Sequence, residues 1–309
     1  MLRSLLLRLS TKPAIGQALD RIPASRRVVR RFVAGEAIGD ALAVLTRLNG
    51  EGYDSAVTYL GENVTTAKAA RAAADTYCTL LEEIHRLGLR TTPSLKLTHL
   101  GLDVGEDVAL ENVERVLDRA GDTVVWFDME GSAYTDRTLA FYDRVRRRRP
   151  NVACVVQAYL YRTEGDLARL VAGPGHPLRV RLCKGAYHEP PTIAYPRKAD
   201  VDRQYARLAG LLLSPVARAA GVYPGFATHD DVLVRVLLEK TRELGVPADR
   251  FEFQMLYGIR GDLHARLRAA GARLRVLVPF GEDWYGYFVR RLAERPANLL
   301  FLAKNLLRG

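Results

Sequence analysis

The sequence predicts an α/β protein whose strands close into a (βα)8 barrel of the TIM type. Eight short apolar runs rich in β-branched residues have the pattern of strands, and helical periodicity follows most of them. The length of 309 residues suits two ordinary domains or one barrel-sized domain. No Gly-x-Gly-x-x-Gly motif follows any strand, which disfavours the alternative fold, an open doubly wound sheet.

The first half of the chain contains four strand–helix units after a helical N-terminal segment. That segment, roughly Leu2 to Leu48, is expected to pack outside the barrel, so we divide the chain into residues 1–48 and a barrel of residues 49–309. The third helix is expected to end in Arg144–Arg149, because cations suit the C-terminal end of a helix dipole and Pro150 stops the helix. The predicted strands and their helices are Ser55–Leu60 with Thr65–Leu89, Ser94–His99 with Gly105–Ala120, Thr123–Met129 with Asp136–Arg149, and Val152–Tyr159 with Glu164–Ala172.

The second half repeats the same alternation. Gly173–Pro177 has the composition of a helix-to-strand turn, and no linker divides the chain. A longer loop, Tyr187 to Ala199, follows the fifth strand and contains three prolines. Loops on that side of a barrel build the active site. The predicted strands and their helices are Leu178–Cys183 with Val201–Ala220, Gly225–Thr228 with Asp230–Leu244, Phe251–Leu256 with Asp262–Ala270, and Arg273–Val278 with Asp283–Arg295.

Composition excludes several classes of function. The net charge of +11 would suit nucleic acid or an acidic membrane, but the arginines are scattered and not interleaved with aromatic residues, so we discount nucleic acid as a partner. The six histidines show no metal-ligand spacing, so we expect no metal. No apolar run is long enough to span a bilayer. The leucine-rich start, Met1–Ser10, is expected to be an amphipathic helix on the domain, with a membrane-surface segment as the alternative.

Polar side chains close strand after strand at what would be one rim of the barrel. A lysine, arginine or aspartate is seldom buried without a partner or ligand, so repetition on six successive strands favours a functional rim. For single residues a plainer reading stays open: Asp128 and His229 as helix caps, and Gln157 as a loop partner. The residues are Lys96, Asp128, Gln157, Arg181 with Lys184 and Gly185, Thr228 with His229, and Gln254.

The last helical pattern carries four polar residues on one face. Tyr287, Arg290, Arg291 and Glu294 are spaced i, i+3, i+4 and i+7. Two adjacent guanidinium groups can bind a carboxylate or phosphate, and Glu294 could hold one of them in place. The alternative is a solvated helix face with an ion pair.

The candidate site as a whole has more cations than anions. Its cationic excess favours an anionic occupant, such as a phosphate-bearing cofactor together with a carboxylate substrate. No nucleophile–base pair is visible, so redox chemistry on a bound cofactor fits better than covalent hydrolysis. The cations are Lys96, Arg181, Lys184, Arg290 and Arg291, and the anions are Asp128 and Glu294.

Seven motifs in order resemble those of the proline dehydrogenases, a family of flavoenzymes built on a distorted (βα)8 barrel. The resemblance covers nearly the whole predicted barrel, which makes it specific. The motifs are Leu95-Lys96-Leu97-Thr98, Phe127-Asp128-Met129-Glu130, Gln157-Ala158-Tyr159-Leu160, Arg181-Leu182-Cys183-Lys184-Gly185-Ala186-Tyr187, Ala227-Thr228-His229-Asp230, Phe251-Glu252-Phe253-Gln254-Met255-Leu256-Tyr257-Gly258, and Tyr287-x-x-Arg290-Arg291-x-x-Glu294.

The resemblance implies FAD across the rim and hydride transfer from proline C5 to flavin N5, giving Δ1-pyrroline-5-carboxylate. Lys96, Arg290 and Arg291 would bind the substrate carboxylate, while Asp128 would organise the amine side. Arg181 would lie by flavin N5. The other cofactor contacts would come from Met129, Gln157, Lys184, Gly185, Ala186, Thr228, His229 and Gln254.

The resemblance also implies an enclosed substrate and an external electron acceptor. Leu256, Tyr187 and Tyr287 would enclose the pyrrolidine ring, and Glu62 resembles an acidic gate residue that pairs with Arg290. The acceptor would be a membrane quinone, so the expected location is the cytoplasm with peripheral contact to the inner face of the membrane. The length of the chain implies a monofunctional enzyme without an aldehyde dehydrogenase domain.

One position departs from the family pattern. Leu277 stands where the family usually has a tyrosine that crowds the substrate ring. A leucine removes a hydroxyl from the pocket wall, so a hydroxyproline dehydrogenase, or a related flavin enzyme for cyclic amino acids, remains the alternative function.

Overall fold

Eight parallel strands close into one barrel in the computed structural model, which describes residues 29–294 and the side chains of residues 29–291. Each strand pairs with its sequence neighbours, and β1 also pairs with β8 in the register Ala56↔Leu277. The predicted TIM-type barrel is therefore confirmed. The strands are β1 Asp54–Tyr59, β2 Thr91–Leu95, β3 Val125–Phe127, β4 Val152–Gln157, β5 Arg179–Cys183, β6 Tyr223–Ala227, β7 Glu252–Leu256 and β8 Leu274–Phe280.

Helices alternate with these strands, and their apolar faces pack on the sheet. α2 illustrates the pattern, because Ala70, Tyr77, Leu81 and Ile84 fall on one helical face and are all fully buried. The helices are α1 Ile38–Gly50, α2 Ala67–Arg86, α3 Glu106–Ala120, α4 Thr135–Arg146, α5 Thr163–Ala172, α6 Lys198–Leu212, α7 Pro215–Ala219, α8 Asp231–Glu243, α9 Gly261–Ala269 and α10 Trp284–Glu294, with 3-10 turns at Ser132–Tyr134 and Ala248–Arg250.

The described part of the N-terminal segment packs on the outside of the barrel. α1 lies against β8 and β1 and buries Ala41, Leu45 and Leu48. Val29 and Phe32 join Trp284 and Phe288 of α10 in a second apolar cluster. The expected helix at the start of the chain lies outside the described residues, and the domain division at residue 48 stays a prediction.

Three sequence expectations about elements were wrong. The second strand is Thr91–Leu95 rather than Ser94–His99, because residues 97–102 form buried turns that carry an apolar pattern of their own. The predicted helix Val201–Ala220 is broken into α6 and α7, because Ser214 caps a new helix with Pro215 in its first turn. The predicted helix Asp136–Arg149 ends at Arg146, and Arg149 beyond it pairs with Glu114 and Asp118 of α3 at 2.6 Å.

Candidate active site

The C-terminal ends of the strands form one rim, and the predicted polar residues gather there. Lys96, Asp128 and Lys184 come directly after β2, β3 and β5, while Arg181 and Gln254 point inward from β5 and β7 to meet one another. Parallel strands place their carboxyl ends on the same side, so alternate residues on neighbouring strands approach one another.

Arg181 is the buried centre of this rim. Its Nη1 donates to Asp128 Oδ1 at 2.7 Å and to Ser94 Oγ at 3.0 Å, and its Nε donates to Gln254 Oε1. The guanidinium carbon lies 4.6 Å from the centre of the Trp126 ring. Burial lowers the pKa of Arg181, and Asp128 opposes that shift. The arginine keeps its charge because the ordinary pKa is so high.

Glu62 joins two cations from different elements. Its carboxylate lies 3.3 Å from Lys96 Nζ after β2 and 3.6 Å from Arg290 Nη1 on α10. Burial would raise the pKa of Glu62, but Lys96 and Arg290 outweigh burial and hold it below the ordinary value. The predicted proximity of Glu62 and Arg290 is thus present, while the gating role stays a prediction.

The arginines of α10 face aromatic rings rather than solvent. Arg290 lies 5.8 Å from the ring centre of Tyr187, and Arg291 lies 5.1 Å from that of Tyr287. Arg291 is 8% exposed, so the alternative of a solvated helix face is wrong for this residue. Burial raises the pKa of Tyr187, which stays a neutral phenol. The side chain of Glu294 lies outside the described residues.

Lys184 and Gly185 begin the long loop after β5. Lys184 Nζ donates to Asp202 at 2.5 Å and to Asp230 at 2.9 Å, and Lys198 joins the same two carboxylates. Burial raises the pKa of Asp230, but Lys184 and Lys198 hold it well below its usual value. The lysine predicted to hold a cofactor is therefore already paired with two acids.

The other predicted cofactor residues lie at the rim in different states. Gln157 is 3% exposed, and its Oε1 has no hydrogen-bond partner among the described residues. Thr228 Oγ1 accepts from the backbone of Asp230 at 3.2 Å. His229 Nε2 accepts from the backbone N–H of Leu256 at 2.9 Å, so His229 ties β6 to β7 instead of capping a helix. Met129 is buried and Ala186 is half-buried.

The pocket wall follows the strand register. Leu256 on β7 is paired with Leu277 on β8, and both are half-buried. Leu256 also packs against the cluster that contains Tyr287. The departure from the family pattern at position 277 therefore lies next to a residue predicted to enclose the substrate ring.

Sequence reasoning missed several residues that build the site. Ser94 donates to Asp128 Oδ1 at 2.6 Å and accepts from Arg181, and Trp126 lies beneath the guanidinium. Both alternate with a predicted site residue two positions later, and that period of two was the available signal. Glu130 was quoted in a motif without a role, yet it is buried, accepts from Thr98 Oγ1 at 2.7 Å, and has a pKa raised by burial.

The rim offers unused hydrogen-bonding atoms that fit a flavin ring. Arg181 Nη2 and Trp126 Nε1 are buried donors, and Gln157 Oε1 is a buried acceptor; none has a partner among the described residues. Buried polar atoms left in this way are expensive unless a ligand or water pairs with them. An isoalloxazine presents both acceptors and an N–H donor, so the residues present fit the group that the resemblance implies.

The described chain holds no group of three or more potential metal-ligating side chains. None of its described helices has both the length and the apolar character needed to cross a bilayer.

Comparisons with known proteins agree with the fold and the motifs. A family model described as proline dehydrogenase matches residues 41–304. Proline dehydrogenase 1 of Bacillus subtilis subsp. natto is 37% identical over 310 residues, covering 100% of each chain. Proline dehydrogenase of Deinococcus radiodurans is 38% identical over 291 residues, covering 91% of each.

Solved structures of larger relatives share the barrel. Proline utilization A of Bdellovibrio bacteriovorus, inactivated by N-propargylglycine, has a TM-score of 0.80 at 24% identity, which shows the fold alone. It is matched over 87% of this chain and 33% of its own. A bifunctional proline utilization A protein has a TM-score of 0.73 at 27% identity, over 91% of this chain and 32% of that one. The chain thus spans about a third of these larger proteins.

Proposed function

Because the chain belongs to the proline dehydrogenase family, whose activity is the oxidation of proline in proline catabolism, we propose that it binds FAD at the rim, converts L-proline to Δ1-pyrroline-5-carboxylate and passes the electrons to a membrane quinone. The chemistry that a bound flavin supplies is acceptance of a hydride from proline C5 at its N5 atom.

One observation supports the substrate class above the others. Lys96 and Arg290 come from opposite ends of the barrel sequence, yet both lie within 3.6 Å of one carboxylate, that of Glu62. The two cations are therefore held where they can share a carboxylate. Arg291, one residue on, is buried at the same helix face. Charge-assisted bonds from these groups would orient the carboxylate of proline.

The remaining residues have proposed roles that follow from their contacts. Ser94 and Arg181 both donate to Asp128 Oδ1, so Oδ2 can accept from the substrate amine. Tyr187 and Tyr287 lie against the arginines and would cover the ring, which excludes water from the site. Arg181 holds a fixed positive charge where negative charge develops on the oxidant.

The cofactor would be held by the buried atoms described above. Gln157 and Arg181 would contact the ring, and Gln254 would lie beside Arg181, with Met129, Thr228, His229 and Ala186 around the ring. Lys184 and Gly185 would lie beside the phosphates, and Lys184 would then exchange Asp202 or Asp230 for phosphate oxygens.

An anaerobic spectral titration tests this function. The purified protein should show an oxidised-flavin spectrum that L-proline bleaches, and a soluble quinone should restore it. L-Lactate is a suitable control, because it has the carboxylate but lacks the secondary amine. A protein without flavin, or with a flavin that proline does not reduce, would refute the proposal.

Leu277 favours one alternative within the same chemistry. A leucine leaves more room and one hydroxyl fewer at the wall next to Leu256. Comparing kcat/KM for proline and hydroxyproline decides between the two substrates, and a higher value for hydroxyproline would identify the alternative as the function.

A further inference from the structure

A chain of hydrogen bonds crosses the barrel interior from β8 to β5. Arg275 on β8 donates from Nε and Nη2 to the two oxygens of Glu252 on β7, at 2.8 and 3.0 Å. Glu252 Oε1 also accepts from Gln254 Nε2 at 2.5 Å, and Gln254 Oε1 accepts from Arg181 Nε. The buried Glu252–Arg275 ion pair, which has no role in the proposed function so far, is therefore connected to the guanidinium at the rim.

The chemistry of the two ends allows only one orientation of the Gln254 amide. Arginine has donors only, and an ionised carboxylate has acceptors only. Burial would raise the pKa of Glu252, but Arg275 outweighs burial and lowers it, so Glu252 is an anion. The amide must then direct its NH2 group to Glu252 and its oxygen to Arg181.

Gly225 on β6 is a second, independent observation that supports this chain of hydrogen bonds. β6 lies between β5 and β7, and its Gly225 is paired with Arg181 on one side and Glu252 on the other. A Cβ atom at position 225 would lie 2.6 Å from Gln254 Nε2. The absence of a side chain at Gly225 therefore leaves room for the Gln254 amide, which lies over β6 between Arg181 and Glu252.

The path fixes the direction in which Arg181 presents its last donor. Nη1 is held by Asp128 and Ser94, and Nε is held by Gln254. Nη2 is buried without a partner among the described residues. Two anchors on a planar guanidinium determine the position of its third nitrogen.

We propose that Glu252 is a positioning residue for the redox reaction: anchored by Arg275, it orients Gln254 and through it holds Arg181 Nη2 against the flavin, which raises the reduction potential of the flavin. This inference rests on the proposed function. Glu252 itself touches neither substrate nor cofactor. A cation held beside the reduced ring stabilises its added negative charge, and the stabilisation depends on close contact.

The variant Glu252→Asp tests this inference, because it keeps the negative charge at position 252 but changes the position of the carboxylate. Glu252→Asp retains the anion beside Arg275 but shortens the side chain by one methylene, which breaks the bond to Gln254. The measurement is the two-electron midpoint potential of the bound flavin, with flavin content recorded. We expect the equilibrium constant for flavin reduction to fall about tenfold, which corresponds to a midpoint potential about 30 mV lower for a two-electron couple.

Tyr223→Phe is the matched control. Tyr223 donates to Glu252 Oε2 at 3.4 Å, whereas Gln254 donates to Oε1 of the same carboxylate. Removing the Tyr223 hydroxyl should leave the midpoint potential of the flavin unchanged. If Glu252 had only a structural role, Glu252→Asp would likewise change the stability of the protein but not the midpoint potential.

Gly225→Ala perturbs the amide without changing any charge. It should lower the potential in the same direction, and adding Glu252→Asp to it should produce no further fall, because both changes break one path. If Glu252→Asp does not fold, Gly225→Ala alone decides. Unchanged potentials in the flavin-loaded variants, or falls that add, would overturn the inference while leaving the proposed function intact. A wild-type protein without a proline-reducible flavin would overturn the proposed function, and this inference with it.

Discussion

Replacing Gly185 with alanine tests how closely the loop after β5 fits over the barrel. Gly185 has φ +117°, a conformation that residues with a side chain rarely adopt. An added Cβ would lie 2.3, 2.4 and 2.6 Å from three carbons of the Tyr159 ring. Tyr159 has little freedom to retreat, because its backbone accepts from Tyr195 at 2.8 Å and donates to Lys184 at 2.9 Å.

The expected magnitude has two parts. The backbone conformation costs about 1–3 kcal/mol for a residue other than glycine. Overpacking of a filled space costs about 1–3 kcal/mol more. Together they give a loss of about 2–6 kcal/mol in the free energy of unfolding. Since Lys184 and Tyr187 flank this position, flavin retention should fall as well.

Urea unfolding of the flavin-loaded protein measures the loss. Gly39→Ala is a matched control, because Gly39 is exposed in α1 and nothing lies within 4 Å of its added Cβ. That control should gain about 0.5–1 kcal/mol, the helix propensity difference between glycine and alanine. A loss smaller than about 1 kcal/mol for Gly185→Ala would show that the loop adapts easily, against the packing argument.

Three further perturbations address charge. Arg291→Ala should raise KM for proline at least about tenfold, since a charged hydrogen bond in a closed site contributes about 1.5–3 kcal/mol. The control is Arg203→Ala, which lies at an exposed position and should leave KM unchanged. Glu62→Gln should raise KM about fivefold at unchanged flavin content, because a partly exposed ion pair contributes about 1 kcal/mol. Loss of flavin in this variant would contradict the assignment. Burial, and next a nearby ammonium group, lower the pKa of His99 to about 4. Below about pH 6.5 the unfolded state then binds more protons at this histidine than the folded state does. The free energy of unfolding therefore decreases as the pH falls from about 6.5 towards 4, and the decrease between pH 7.5 and 5 is about 2 kcal/mol. His99→Gln should remove that part of the pH dependence in denaturant titrations, and an identical slope in both proteins would contradict it.

The barrel could be predicted from the sequence because every strand is short, apolar and followed by helical periodicity. Boundaries were harder where a loop is as buried as a strand. Leu97, Leu100 and Leu102 are at most 2% exposed although they lie in turns after β2. Hydrophobic patterning reports burial, not backbone conformation, so the second strand was displaced by a few residues.

The candidate site was predictable as a set of residue types but not as a set of contacts. Strand ends identify Lys96, Asp128 and Arg181, because such residues are unusual in apolar runs. Ser94 and Trp126 carry no such signal, since serine and tryptophan are common in strands and cores. Their roles depend on the stagger between neighbouring strands, which the sequence does not state.

The contacts also change the charge argument that the sequence suggested. Arg181 is neutralised by Asp128 at 2.7 Å, and Lys184 is paired with two acids. Among the described residues, the cations placed to receive a substrate carboxylate are therefore Lys96 and Arg290, which share Glu62.

The distances within that remaining group decide how a carboxylate binds. Glu62 lies 3.3 Å from Lys96 and 3.6 Å from Arg290, which is longer than the roughly 2.8 Å of a tight charge-assisted bond. Both cations therefore retain bonding capacity, and the proline carboxylate should be added beside Glu62 rather than exchanged for it. If the carboxylate is added, the negative charge of Glu62 is needed to keep Lys96 and Arg290 close together, so Glu62→Gln should raise KM for proline. Exchange would make Glu62 a competitor, and the same variant would lower KM.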